Sequence, residues 1–383
     1  MDNLTHSLIG LAASKAGLEK LSPGTTTLCI LAANAPDADI VAALGGRWVY
    51  VHHHRGITHS IVGTIALALA LALVFYLGDC LLARLRNRRR RIRLGGLLIA
   101  SLLVGATHPI MDWTNNYGMR FLLPWDSRWF YGDFVFIIDP FLWLLLGGAA
   151  FLLTSKTKLQ SGVWLVIAAS TSFVVLFGPA SRGGLPNPTP LRIVWLTALV
   201  VLVILFKRDV TRRWGAKIPL AALGVVCVYL VSLFLAHAIA LKQAKLEASS
   251  IANENAEHTI KIAAMPTLAN PFRWLSVMET DRATYRFTLG LLDSSQRRER
   301  LVRFEKPQGP DAAALAEATR DNRSQVFLEF ARFPVVNVAG GNCLTQTLVQ
   351  FADLRYTEPG RGNGTFSLEV PVDCPIQRTN LNE

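Results

Sequence analysis

The chain has 383 residues, of which 51% are hydrophobic, and a formal net charge of +12 at pH 7. Its mean hydropathy of +0.33 is high for a soluble protein and predicts a membrane protein with room for one further domain. The positive charge is concentrated in short loops between apolar segments, above all in residues 84–93. Such loops are the positive-inside signal of membrane proteins, so the charge excludes nucleic acid as the expected partner and favours anionic lipid.

Apolar segments follow one another through the first 241 residues. Two short ones cover residues 4–18 and 25–35, and short segments at membrane depth are tolerated where they line a polar cavity. A membrane span needs about 20 apolar residues. Candidates of that kind lie at residues 57–77, 94–107, 134–154, 162–178, 191–206 and 218–241. The pattern predicts a mainly α fold, a polytopic transmembrane helical bundle over residues 1–241 with about six full spans and two short N-terminal helices.

The basic loops predict one orientation. If residues 84–93 are cytoplasmic, alternation of the spans also brings Lys156, Lys158 and the basic cluster at residues 207–217 to the cytoplasm. The chain after residue 241 then lies outside the cytoplasm, and the polar residues of the N-terminal segments converge near the outer face. The alternative for the two N-terminal segments is a pair of amphipathic surface helices.

Residues 242–383 have a different character, because Glu, Asn, Gln and Arg become frequent. Alternating runs at residues 284–289, 325–330 and 365–370 predict strands, and residues 311–320 predict a helix. We expect a soluble, extracytoplasmic α/β or β-rich domain here. Cys343 and Cys374 both fall in it, and whether they form a disulfide stays open.

Histidine is concentrated near the N-terminus: six of the eight His lie in the first 112 residues. His6, His59 and His108 each follow a Thr at the boundary of an apolar segment. Imidazoles and carboxylates are costly near a bilayer and usually mark a functional site there. Nitrogen and oxygen ligands together suit zinc or a similar first-row metal, so we predict a membrane-embedded metal site.

Carboxylates accompany these histidines. Asp112 follows His108 by four residues, which places both on one face of a helix. Asp37 and Asp39 follow Pro36 and are two residues apart. A carboxylate pair can bridge two metal ions or divide into a ligand and a general base, although helix capping is the simpler alternative.

Residues 52–60 contain four His and one Arg just before an apolar segment. His54 and His59 are the better ligand candidates, whereas His52 and His53 are equally consistent with solvated side chains. Arg55 offers a planar fork for a phosphate or carboxylate group, or an anchor at the membrane interface.

With these motifs the chain resembles the YdjM/YbcI-type family of bacterial inner-membrane proteins. That family is described as membrane-bound metal-dependent hydrolases, some of them linked to LexA regulation and hence to a stress response. The resemblance covers roughly the first 150 residues and rests on Asp2–Ser7, Pro36–Asp39, His54–Ser60, His108–Asp112, Asn116–Gly118, Pro124-Trp125 and Phe136–Pro140.

The resemblance implies a location in the bacterial inner membrane and gives Asp139 a supporting role. A more distant similarity to zinc phospholipase C implies a phosphodiester or phospholipid substrate. By the family pattern, the metal ligands would be His6, Asp37, Asp39, His54, His59, His108 and Asp112.

The resulting hypothesis is an integral-membrane hydrolase that uses one or two divalent ions, zinc first, to activate water toward a lipid or small phosphoester. Asp37 or Asp39 would act as the base and Arg55 would hold the substrate's charged group. The chain lacks HExxH, GxSxG, Walker A and GxGxxG motifs, which weighs against peptidases, serine hydrolases, triphosphatases and dehydrogenases. The alternatives are a non-catalytic metal sensor or transporter, and a stress-response scaffold with a structural metal.

Overall fold

The structure is a computed structural model that describes residues 1–181, 187–292, 299–339, 346–360 and 366–373. The chain divides into two compact units. The first contains Met1–Asp39, Arg55–His237 and Pro266–Pro271. The second contains Ile40–His54, Ala238–Met265 and Phe272–Glu383. Residues 40–54 therefore pack with the C-terminal part of the chain, although the sequence pattern grouped them with the N-terminal helices.

The described helices up to residue 255 comprise five long apolar ones and six shorter ones. They are α1 Asn3–Lys15, α2 Thr25–Asn34, α3 Arg47–His53, α4 Ile61–Leu85, α5 Leu94–Trp113, α6 Pro140–Leu142, α7 Gly148–Thr154, α8 Lys158–Ser181, α9 Thr189–Lys207, α10 Val210–Trp214 and α11 Lys217–Asn255. A π-helical turn, Trp143–Gly147, joins α6 to α7. Short 3₁₀ segments lie at Leu18–Lys20 and Ile57–His59, and a longer one, Ala35–Gly45, continues α2.

Within the described residues, six helices are long and apolar enough to cross a membrane. They are Thr25–Gly45, Ile61–Leu85, Leu94–Trp113, Lys158–Gly178, Thr189–Lys207 and Lys217–Asn255. With the C-terminal β-sheets, they confirm the predicted fold class, a membrane helical bundle followed by a β-rich region. The predicted short span at residues 94–107 reaches full length because the helix continues through Pro109 to Trp113.

The set of spans differs from the predicted one at two places. The helix expected at residues 134–154 begins only at Pro140, because Asp139 caps it by accepting hydrogen bonds from the backbone N–H of Phe141 (2.8 Å) and Leu142 (3.3 Å). That helix, Pro140–Thr154, is therefore shorter than a span. Conversely, the segment expected to be short at residues 25–35 continues to Gly45.

Small residues let α1, α2, α4 and α5 pack closely. Their shared core includes Leu28, Cys29, Ala72 and Ala100, all completely buried. A Cβ atom built on Gly10 of α1 would lie 2.5 Å from the Cys29 carbonyl oxygen of α2, so only glycine permits this approach. Close contact through small residues is the usual way that helices associate in membranes. It fixes the positions of α1 and α2, which carry or precede the candidate ligands.

The second unit contains two antiparallel sheets and two helices. Strands β1 Thr259–Thr267, β2 Asn270–Thr280, β3 Ala283–Gly290 and β4 Glu299–Glu305 form a sheet in sequence order. Strands β5 Pro334–Ala339, β6 Gln346–Asp353 and β7 Ser367–Asp373 form the other sheet, also in sequence order. Helices α12 Gly309–Ala318 and α13 Asn322–Phe330 pack on the second sheet through Phe327, Val349 and Phe351.

One predicted strand, residues 325–330, is wrong, because this segment belongs to helix α13. Its buried residues are Ser324, Phe327 and Phe330, spaced by three as on a helix face, and the Asp321 carboxylate accepts a hydrogen bond from the backbone N–H of Arg323. The other two predicted strands fall on β3 and β7, and the predicted helix falls on α12. Cys343 and Cys374 lie outside the described residues.

Candidate metal centre

Helix α1 brings His6 into the bundle interior. Asp2 caps the helix by accepting hydrogen bonds from the backbone N–H (3.0 Å) and the hydroxyl (2.7 Å) of Thr5. The His6 side chain is completely buried, and its ring stacks on that of His108 with 3.8 Å between centroids. The Thr that precedes His6 thus helps to fix the start of the helix that carries the imidazole.

A tight turn positions His59. Ser60 caps α4 by accepting a hydrogen bond from the Gly63 N–H at 3.1 Å. A Cβ atom built on Gly63 would lie only 1.8 Å from the Ile57 carbonyl oxygen, so glycine is required where the turn folds back on the helix. The turn directs the His59 side chain inward, where it is completely buried.

Helix α5 contributes His108 and Asp112 from its last turns, one helical turn apart as predicted. Both are buried, with 0% and 1% of the residue exposed. The 3₁₀ segment after α2 contributes Asp37, whose side chain is 15% exposed and so forms the accessible side of the cluster.

Four side chains converge so that one ligand atom of each lies within 4.8 Å of the others: Asp37, His59, His108 and Asp112. The His59 Nε2 atom lies 3.2 Å from His108 Nε2, 3.3 Å from Asp37 Oδ1 and 3.6 Å from Asp112 Oδ2. The His108 Nε2 atom lies 3.6 Å from both carboxylate oxygens.

These separations suit a small tetrahedral cation. An ion bonded to four nitrogen or oxygen atoms at about 2.0–2.2 Å holds those atoms about 3.3–3.6 Å apart. The five separations that involve His59 Nε2 or His108 Nε2 span 3.2–3.6 Å. The cluster could therefore bind a metal ion with little rearrangement of its side chains.

Both cluster imidazoles are oriented through their second nitrogen. His108 Nδ1 lies 2.6 Å from the Ala33 carbonyl oxygen, and His59 Nδ1 lies 3.0 Å from Thr58 Oγ1 and 3.4 Å from Asp39 Oδ2. Partners of this kind fix the tautomer and the ring orientation of metal-binding histidines. Burial lowers the pKa of the His59 imidazole, which favours the neutral, metal-donating form.

Arg55 lies beside the cluster and is 3% exposed. Its Nε atom forms an ion pair with Asp112 Oδ2 at 3.0 Å, and its Nη1 atom donates hydrogen bonds to Asn115 Oδ1 at 3.0 Å and to the Gly118 carbonyl at 3.3 Å. The guanidinium also lies over the ring of Tyr117, 4.5 Å from the centroid. The side chain is thus held by the protein on several sides and holds Asp112 in turn.

Three of the seven predicted ligands stand outside the four-residue cluster. His6 borders it, with Nε2 at 3.2 Å from Asp112 Oδ1. Asp39 contacts the far nitrogen of His59 and accepts a hydrogen bond from the Arg55 backbone N–H at 3.0 Å. His54 ends α3 in the second unit, where its ring stacks on Tyr50 with 4.7 Å between centroids.

Residues that support the cluster were not assigned as such from the sequence. Asn115 and Tyr117 engage Arg55, and the Ala33 carbonyl engages His108. The motif at residues 116–118 contains Tyr117 and could have indicated its role. The contact of a backbone carbonyl cannot be recognised from a sequence. Asp139, the expected supporting residue, accepts a hydrogen bond from the Tyr229 hydroxyl at 2.8 Å in addition to capping its helix.

The fold and the cluster define a class, that of multi-pass helical membrane proteins with a buried His–Asp centre. The model of the YdjM inner membrane protein family matches residues 1–185, which include the whole cluster, and so confirms the predicted resemblance for that region. The chain is also 26% identical over 158 residues to the uncharacterized protein YfhP of Bacillus subtilis (strain 168). That match covers 38% of this chain and 43% of the relative. No solved structure matches the chain.

Proposed function

We propose that the protein is an integral-membrane, metal-dependent hydrolase that acts on a phosphoester or phospholipid-type substrate. The observation that carries this proposal is the convergence of Asp37, His59, His108 and Asp112, whose ligand atoms lie within 4.8 Å of one another, with the five separations that involve an imidazole nitrogen at 3.2–3.6 Å.

Zinc is the ion that this ligand set fits best. Two imidazole nitrogens and two carboxylate oxygens are ligands that zinc accepts, at tetrahedral separations. A divalent ion in such a site supplies Lewis-acid chemistry and lowers the pKa of water, which is what hydrolysis at neutral pH requires. The completely buried imidazoles and their fixed Nδ1 partners support a preformed site.

The carboxylates of Asp37 and Asp112 differ in exposure, and we assign them different roles on that basis. The Asp37 side chain is 15% exposed and that of Asp112 is 1% exposed, so a substrate would approach from the side of Asp37. Asp37 is accordingly the ligand that could also act as the general base. Asp39 is occupied by His59, Thr58 and the Arg55 backbone, and its role would be to orient His59. Arg55 would position Asp112 rather than bind the substrate.

The depth of the site favours a lipid headgroup as the source of the phosphoester. Asp112 lies at the end of α5, and His59 lies just before α4 begins. Both helices are long and apolar enough to cross a membrane, so His59 and Asp112 would lie near the headgroup region, and Asp37 reaches them from within the span Thr25–Gly45. Transport sites tend to lie near the bilayer midplane, and a site at one end of two spans therefore fits transport less well.

The charge pattern supports an orientation for this site. The arginine-rich loop at residues 84–93 joins the opposite ends of the same two helices. By the positive-inside rule that loop would be cytoplasmic, which puts the cluster at the outer face. The chain after α11 then lies outside the cytoplasm if the shorter apolar helix Pro140–Thr154 also crosses the membrane, which the basic residues Lys156, Lys158 and those at 207–217 favour because it puts them in the cytoplasm. Reporter enzymes fused in the loop at residues 84–93 and after Glu383 test this: a cytoplasm-specific reporter should be active in the loop and inactive after Glu383. Inactivity in the loop would reverse the orientation, and activity after Glu383 alone would show that Pro140–Thr154 does not cross.

Hydrolysis is tested with the purified full chain, reconstituted with zinc and supplied with a chromogenic phosphodiester and a fluorogenic phospholipid. The wild type is compared with Asp37→Asn and His59→Ala, and with His53→Ala, whose side chain is exposed in the second unit. We expect zinc-dependent turnover in the wild type and in His53→Ala, reduced at least about 100-fold in the other two. A wild-type protein that holds zinc but hydrolyses neither substrate would overturn the proposal.

A second candidate function is a non-catalytic metal site, structural or sensing. The observation that favours it is that four protein side chains converge, enough to fill every position of a tetrahedral ion, whereas catalytic zinc usually has three protein ligands and keeps one position open. Retention of zinc without turnover in the same experiment would support this candidate.

A further inference from the structure

A cavity of about 580 Å³ lies at the ends of α7 and α9, next to α10. It shares no residue with the metal cluster, and its volume lies in the range of about 300–1,000 Å³ that is usual for ligand pockets. All its lining residues belong to the first unit.

The cavity wall has an apolar part and a polar part. Leu152 and Leu153 come from α7, and Leu205 and Phe206 come from α9. Lys156 and Arg212 line the same cavity beyond the ends of these helices. The arrangement fits an amphiphile with a hydrocarbon portion and a negatively charged head.

The two cations are available for such a head. In the part of the chain that the structure describes, neither the Lys156 ammonium nor the Arg212 guanidinium has an acidic or hydrogen-bonding partner. The acidic residue among the lining side chains, Asp209, accepts a hydrogen bond from the Thr211 hydroxyl at 3.0 Å instead. The lining therefore carries a net positive charge whose two cations lack protein counter-ions.

The cavity also lies at the end of an apolar helix, where a lipid headgroup is expected. Helix α9 ends at Lys207 and α11 begins at Lys217, and both are long and apolar enough to cross a membrane. The segment between them carries further basic residues, Arg208 and Arg213. Basic pockets between membrane helices near a charged interface are typical binding sites for anionic lipid headgroups.

We propose that this cavity binds an anionic phospholipid, with its phosphate between Lys156 and Arg212 and an acyl chain along Leu205 and Phe206. The site is separate from the metal centre, and the proposal does not depend on the hydrolase activity. A free phosphate ion shares the charged chemistry but would leave the apolar wall unused.

The test measures equilibrium binding of a fluorescent short-chain phosphatidylglycerol to the full chain in detergent micelles, with phosphatidylcholine and inorganic phosphate as competitors. The double variant Lys156→Gln/Arg212→Gln is compared with Lys158→Gln/Arg213→Gln, which removes the same charge from neighbouring residues that do not line the cavity. We expect the first to weaken binding roughly 30-fold, the loss for two cations near anionic lipid, and the second less than about threefold.

A further variant, Leu205→Trp, fills the apolar part and leaves the charges intact, so it should also weaken phosphatidylglycerol binding. Phosphatidylcholine and millimolar inorganic phosphate should compete poorly. Equal losses in the two double variants would show a diffuse charged surface, and equal competition by inorganic phosphate would show a small-anion site. Either result, or full binding by Leu205→Trp, would overturn the proposal.

Variants that lose their monodisperse elution profile are replaced by Lys156→Arg and Arg212→Lys. These two variants keep the positive charge and should therefore retain phosphatidylglycerol binding.

Discussion

The Nε atom of Arg55 lies 3.0 Å from Oδ2 of Asp112, and the two side chains are 4% and 1% exposed. A buried carboxylate next to a buried guanidinium is strongly held, and the N-terminal ammonium of Met1 is a second cation paired with Asp112. The pair of Arg55 and Asp112 connects the segment before α4 to the end of α5, the two places from which His59, His108 and Asp112 reach the cluster.

Arg55→Lys should weaken zinc binding about 10–100-fold, the usual effect of removing a group that orients a metal ligand. Lysine keeps the positive charge but lacks the planar fork that contacts Asp112, Asn115 and Gly118 together. The affinity is measured by competition with a chromophoric chelator. Arg86→Lys, in the exposed loop after α4, is the control and should bind zinc as the wild type does. An unchanged affinity in Arg55→Lys would mean that the fork does not position Asp112.

Asp39→Asn should also weaken zinc binding about 10–100-fold, because Asp39 contacts the Nδ1 atom of His59 and not the cluster itself. Asp37→Asn should have a larger effect, since Asp37 contributes an oxygen to the cluster. The same competition assay compares the two variants. If Asp39→Asn removes zinc as completely as Asp37→Asn does, Asp39 is a direct ligand, as the sequence pattern suggested.

Gly10→Ala should destabilise the helical unit by about 1–3 kcal/mol, the usual cost of adding a methyl group to a tightly packed interior. The new Cβ would lie 2.5 Å from the Cys29 carbonyl oxygen, which is backbone and cannot move aside. Gly78→Ala, on α4, is the matched control, because nothing lies within 4 Å of its Cβ position. Thermal unfolding in detergent compares the two. Equal melting temperatures would show that α1 and α2 do not pack as closely as described.

Asp321→Ala should lower the free energy of unfolding of the second unit by about 1 kcal/mol at pH 7, the usual value of an N-cap. Hydrogen bonds from Arg323 lower the pKa of the Asp321 carboxyl below its usual value. A lowered pKa means that the stabilisation is present above pH of about 4 and is lost as the pH falls through the folded-state pKa.

The difference between Asp321→Ala and the wild type should therefore shrink in acid. Denaturant unfolding followed by circular dichroism at pH 7 and pH 3 measures it. Asp311→Ala serves as the control, because the Asp311 side chain makes no hydrogen bond within the described residues. A difference that stays constant with pH would exclude the carboxylate cap as its cause.

The sequence predicted the bundle and much of the cluster because both depend on local patterns. Apolar runs of sufficient length identify spans, and the four-residue spacing of His108 and Asp112 places them on one helix face. The concentration of His and Asp in an apolar context indicated a site before any tertiary contact was known.

The remaining assignments depend on three-dimensional packing. Asp37 and Asp39 are two residues apart on a 3₁₀ segment, where successive side chains rotate by about 120°, so they face different sides. Asp37 therefore meets His59 Nε2 while Asp39 meets Nδ1. The segment at residues 325–330 alternates like a strand, and only the burial of Phe327 and Phe330 on one face distinguishes it as a helix.

The most direct test of the metal centre is the zinc content of the purified full chain after equilibration with zinc and removal of the excess. Elemental analysis of the wild type should give one tightly bound ion per chain. Single alanine variants at Asp37, His59, His108 and Asp112 should each bind far less, and His53→Ala should bind as much as the wild type. A wild type without zinc, or four variants that retain it fully, would contradict the assignment of these side chains as a metal site.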